Sequence, residues 1–122
     1  MTNSLVRAVR GATTVARNDA EEIAQATREL LSTMIENNDI DVADVISVMF
    51  TTSPDLTAAF PAAAARGLGF HTVPLMCASE INVPGAKPLC IRIMMHTYSL
   101  RARDEIRHVY LHDAQNLRDD LR

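Results

Sequence analysis

Leu89-Cys90-Ile91-Arg92-Ile93-Met94-Met95-His96-Thr97 is a nearly continuous apolar run with one arginine at its centre. Its length and β-branched content read as a buried strand rather than a helix. Arginine is almost never fully buried without a partner. Arg92 therefore either packs against a carboxylate of the protein or stands open to an anionic ligand. The segments on either side bear on which.

Upstream, residues 5–15 alternate loosely and favour strand, with Val6, Ala8 and Arg10 on one side and Arg7, Val9 and Gly11 on the other. Gly11 allows a bulge or a close backbone approach. Asn18 or Asp19 caps a helix over 19–37, and Asp19 with Glu22 has capping-box spacing. Ile23, Thr27, Leu30, Leu31 and Met34 form its buried stripe. After a short turn from Asp41, Val45–Thr52 is a core strand. Ser53-Pro54-Asp55 reads as a helix start, and Leu56–Arg66 as a helix interrupted at Pro61 and ended by Gly67 and Gly69.

Thr72–Ile81 is a further strand, at an edge because of Pro74. Pro84-Gly85 turns into the Leu89 run, and Arg107–Leu111 is the last strand. Residues 118–122 read as a polar, frayed tail. With helices in the first half and three consecutive strands at the end, the pattern favours an α+β fold, a mixed sheet with helices on one face. The 122 residues suit one domain, residues 1–122.

Composition removes several classes of function. A net charge of −3 gives no reason to expect nucleic acid or an anionic membrane surface. No apolar run approaches a membrane span, and the first residues lack the apolar segment of a signal peptide. Cys77 and Cys90 lie in separate predicted strands and suggest neither a disulfide framework nor a metal site, so a cytoplasmic protein is the simple expectation. Of 12 basic residues only Lys87 is a lysine. Base composition accounts for most of the arginines, while a few would suit bidentate recognition of carboxylates. There is no phosphate loop, zinc spacing or nucleophile elbow. His108, beside Tyr110, reads as structural, Cys77 as a small buried hydrophobe and Glu80 as a solvated strand-end carboxylate.

Order and spacing add more. Arg-Gly-Ala-Thr-Thr-Val at 10–15, Ser-Pro-Asp-Leu at 53–56, Phe-Pro-Ala at 60–62, Cys-Ala-Ser-Glu at 77–80, Cys-Ile-Arg-Ile-Met-Met at 90–95 and Arg-His-Val-Tyr-Leu at 107–111 together resemble the monofunctional chorismate mutases of the AroH type. The resemblance runs from about Val6 to Leu121. It implies a homotrimer forming a pseudo-β-barrel, with sites in the clefts between subunits, and conversion of chorismate to prephenate without a cofactor. It carries Arg10, Glu80, Arg92 and Tyr110 over as the central site, Phe60 and Cys77 as walls, and Arg66, Leu117 and Arg118 as contacts near the mouth. Ala63, where a lysine is common, and Met76, where a threonine is common, depart from the pattern at its periphery.

The chemistry fits these residue types. An intramolecular rearrangement needs no nucleophile, metal or proton shuttle. A dianionic substrate suits arginines on strands, and a fixed guanidinium favours a transition state that builds charge on an ether oxygen. Two other classes remain at this stage: a non-catalytic trimeric binder of small carboxylates, and a carboxylate-processing hydrolase or deaminase. The set Glu80, Cys77 and Arg92 is more than an anion sensor needs, and no base–orienter pair for activating water is apparent.

Overall fold

The quoted run becomes β4 (Cys90–Ser99), the middle strand of a five-stranded sheet in the computed structural model, which describes residues 4–117. The other strands are β1 (Leu5–Thr14), β2 (Val45–Thr52), β3 (Leu75–Ser79) and β5 (Val109–Tyr110), in the order β3-β2-β4-β1-β5. β4 pairs antiparallel with both β1 and β2, while β3 and β5 join the edges in parallel. The sheet is mixed, as the sequence predicts. Helix α1 (Ala20–Asn37) lies on one face, and its stripe Ile23, Thr27, Leu30, Leu31 and Met34 is buried. Asp19 caps it by accepting the Glu22 N–H at 3.0 Å. The core between helix and sheet contains Val9, Leu30, Met34, Val48, Phe50, Ile93 and Met95.

α1 packs tightly against Gly11. A β-carbon there would stand 2.5 Å from Met34 Sδ. The register of β1 against β4 runs unbroken through it, so its use is close approach and not a bulge.

The segment 56–66 departs from the sequence reading. Only α2 (Pro61–Ala65) is helical before a wide turn, Arg66–Phe70, that contains Gly69 with φ of 97°. Pro61 begins the helix instead of interrupting it, and Gly67 lies inside the turn. The cause is competition for backbone donors. Asn18 Oδ1 accepts the N–H groups of Thr57 and Ala58, both at 3.0 Å. Ser53 and Asp55 cap no helix: Ser53 Oγ accepts the Cys90 N–H at 2.9 Å, and Asp55 Oδ2 accepts the Leu89 N–H at 3.0 Å. They clasp the chain where it enters β4, two residues before Arg92. The last strand is shorter than Arg107–Leu111 because the Arg107 N–H goes to Asn38 Oδ1 at 2.7 Å. The third strand starts only after Pro74, at the sheet edge.

Candidate active site

Register places the site. Arg92 on β4 stands opposite Ala12 on β1 and Thr51 on β2, and Ala12 in turn stands opposite Tyr110 on β5. Level residues on neighbouring strands send their side chains to the same face. These four therefore make one row across the sheet, on the face away from α1. Ala12 is the small member, and its short side chain leaves room between Arg92 and Tyr110. Arg10 lies two residues before Ala12 on the same face. Glu80 follows β3, and its N–H extends the ladder by donating to Thr52 O at 2.8 Å.

Arg10, Glu80, Arg92 and Tyr110 line one cleft of roughly 330 Å³, floored by Gly11 and Ala12 and walled by Met49, Thr51 and Met94. That volume lies at the small end of ligand pockets. Arg92 Nε is 3.8 Å from Glu80 Oε2, an ion pair too long to be a hydrogen bond. The Thr51 hydroxyl donates to the same carboxylate oxygen of Glu80. Arg92 Nε and the Tyr110 hydroxyl are buried without a hydrogen-bond partner among the described residues. Buried donors left this way are costly unless something completes them. Both readings of Arg92 hold together: it has a carboxylate neighbour, and a donor still to use.

The predicted walls lie elsewhere. Cys77 stands opposite the core residue Phe50 and packs toward the α1 side of the sheet. With Phe60, which is 76% exposed, it lines a second hollow beside Leu56 and Ser79. Arg66 is exposed and lines neither hollow, and Leu117 closes a short turn, donating its N–H to Ala114 O at 3.1 Å. Arg118 lies outside the described residues. Cys90 is in the core. Burial pushes its thiol above the ordinary value, and Arg92 pulls it partly back.

Three contributors are not picked out as site residues in the sequence: Thr51 and Ala12 are passed over, and His108 reads as structural. Thr51 anchors Glu80, and Ala12 opens the floor. His108 Nδ1 accepts the backbone N–H of Arg10 at 3.0 Å. Alternation along β1 and β2 could have pointed to Ala12 and Thr51, but the His108 bond has no local signal. Among the described residues, no three His, Cys, Asp or Glu side chains gather as the ligands of a metal would, and no helix is long and apolar enough to cross a membrane.

Fold and cleft together define a small α+β protein with a basic, carboxylate-edged pocket for a compact anion. The chain belongs to the chorismate mutase type I family, whose model matches residues 6–121. It is 48% identical over 118 residues to the chorismate mutase AroH of Thermus thermophilus, covering 96% of this chain and 97% of that protein. It is 45% identical over 118 residues to the AroH of Bacillus subtilis (strain 168), covering 96% and 93%. A solved chorismate mutase from Clostridium thermocellum superposes with a TM-score of 0.87 at 49% identity, over 88% of this chain and 96% of that one.

Proposed function

We propose that this protein rearranges chorismate to prephenate, a step toward phenylalanine and tyrosine, by positioning and electrostatics alone. The observation that carries the reading is the pair of uncompleted buried donors, Arg92 Nε and the Tyr110 hydroxyl, facing one cleft with Arg10 and Glu80. The reaction breaks a carbon–oxygen bond and forms a carbon–carbon bond within one molecule. The ether oxygen gains negative charge in the transition state. Arg92 stabilises that charge, and a donor already fixed in place needs no reorganisation as it develops. Arg10 and Tyr110 hold the substrate carboxylates so that the reacting ends stay close. Glu80, held by Thr51, accepts from the ring hydroxyl and offsets the local positive charge.

Phe60 and Cys77 join this site from a neighbouring copy. The face that carries the cleft also leaves Val6, Met49, Met76 and Tyr98 between 44% and 61% exposed, an apolar surface suited to a partner. Three copies cover these faces in a ring, their sheets together making a pseudo-β-barrel with each site between two subunits. Ala63 and Met76 sit at the rim, where their effect falls on substrate capture. The protein works in the cytoplasm.

The test is direct. Purified protein, with no metal or cofactor added, should consume chorismate, followed by its loss of absorbance. Tight binding of small carboxylates without turnover would instead favour a non-catalytic sensor.

A further inference from the structure

The β1–β5 ladder covers only Gly11↔Val109 and Ala12↔Tyr110. One residue earlier, the N–H of Arg10 bonds to a side chain: His108 Nδ1, at 3.0 Å. A backbone N–H can donate only, so Nδ1 must be the unprotonated ring nitrogen. His108 and Tyr110 lie two residues apart, so one short segment presents a residue of the cleft and the acceptor that fixes the backbone of another.

We propose that His108 is a positioning residue for Arg10, holding its backbone in register with the cleft, and that it does so only while its ring is neutral. This rests on the function proposed above. Protonation turns Nδ1 from an acceptor into a donor facing another donor, so the bond becomes a repulsion. Arg7 and Arg10 on β1, His96 on β4 and Arg103 on the turn Arg103–Glu105 line the hollow on this side. Asp104 and Glu105 stand on the same turn, where Glu105 Oε1 already accepts the Ala102 N–H at 2.7 Å. Arg107 and Tyr110 flank the ring along its own segment. Arg10 lines both this hollow and the substrate cleft, so a shift of its backbone on one side is felt on the other.

Two variants and the wild type test this. His108→Leu removes the acceptor at similar bulk. His108→Asn keeps an acceptor bonded to Cγ, as Nδ1 is, and cannot titrate. At about pH 8, His108→Leu should lose about tenfold in kcat/KM, mostly through KM, since misplacing a binding group by about 1 Å can cost up to about 10²-fold. His108→Asn should stay within about threefold of wild type. Once acid protonates the ring, wild-type kcat/KM should fall while His108→Asn stays level. Adding His108→Leu to Arg10→Ala should cost nothing further, because the effect runs through Arg10.

Wild-type activity in His108→Leu, an acid limb shared by His108→Asn, or losses that multiply on the Arg10→Ala background would each overturn the proposal. A readout independent of turnover is nitrogen NMR of the wild-type ring, which should report the Nε2–H tautomer near neutral pH; the Nδ1–H tautomer would overturn the placement even if the leucine variant failed to fold. Absence of chorismate turnover in the wild type would reject the proposed function, and the ring tautomer, with the response of the Arg10 amide to acid, would still decide the role of His108.

Discussion

Arg92 Nε and Glu80 Oε2 stand 3.8 Å apart, near enough to attract and too far to saturate each other. Thr51 keeps Glu80 there through the same oxygen. A bidentate pair through Nε would have consumed that donor. This spacing leaves the planar fork of Arg92 oriented by a neighbouring charge, with its Nε still to be satisfied.

Arg92→Lys should therefore lose most activity although the charge is kept. A lysine ammonium is a point charge and does not reproduce the fork. Removing a donor aimed at developing charge costs about 10²–10³-fold in kcat. Steady-state kinetics on chorismate decide the matter. Activity within about threefold of wild type would move the central role to Arg10.

A second expectation concerns assembly. In a single chain Phe60 and Cys77 lie on a different hollow from Arg92. If each site joins two copies, Phe60→Asp, at an exposed position that tolerates charge, should be inactive by setting a carboxylate against a dianion. Arg92→Ala should also be inactive. Unfolded together and refolded as mixed rings, the two should regain activity, because some sites would then combine an intact Arg92 with an intact Phe60. Mixtures that stay inactive while native mass spectrometry reports mixed trimers would mean that Phe60 and Arg92 do not meet across two copies.

Gly11 yields a stability prediction. Gly11→Ala puts a β-carbon 2.5 Å from Met34 Sδ and 3.0 Å from Leu30 Cδ1. Overpacking of this kind costs about 1–3 kcal/mol, so thermal unfolding should begin several degrees lower. Met34→Ala in the same chain should recover part of the loss. An unchanged Tm for Gly11→Ala would mean that α1 moves away at no cost.

The strands and the long helix were legible because each follows from local alternation or helical spacing. Arg10, Glu80, Arg92 and Tyr110 were grouped by the family motif, local pattern alone leaving Glu80 as a solvated strand-end carboxylate; the register then brings all four to one cleft. Val45–Thr52 and the α1 stripe needed nothing beyond periodicity. The residues after Ser53 were misread because their partners are remote. Asn18 takes the N–H groups of Thr57 and Ala58, and Asp55 reaches Leu89. No window of neighbouring residues contains those bonds. Cys77 is different. Alternation along the third strand already puts it on the face opposite Ala78, so in a single chain it lies off the Arg92 cleft, and the wall role that the family motif implies for it needs the neighbouring copy proposed above. His108 looked structural for a sound reason, since its contact is with a backbone N–H, and only the register makes that N–H belong to Arg10.

The mechanism also makes a claim about protons. General acid–base catalysis produces a bell-shaped profile, because one group must lose a proton while another holds one. In the proposed mechanism no proton moves between enzyme and substrate: guanidinium groups stay charged in proteins, Glu80 accepts a hydrogen bond, and Cys77 packs. The expected kcat is therefore nearly level from about pH 6 to 8, where a histidine or a perturbed thiol in the chemistry would titrate. The influence of His108 falls on kcat/KM, through the placement of Arg10, and leaves the chemical step alone. Rates in light and heavy water should match at saturating chorismate, since no bond to an exchangeable hydrogen breaks in the transition state. A steep limb in kcat near neutral pH that disappears in Cys77→Ala, or a solvent isotope effect of about twofold or more, would mean that a titrating group joins the rearrangement itself. The electrostatic account of the cleft would then fail, even with chorismate confirmed as the substrate.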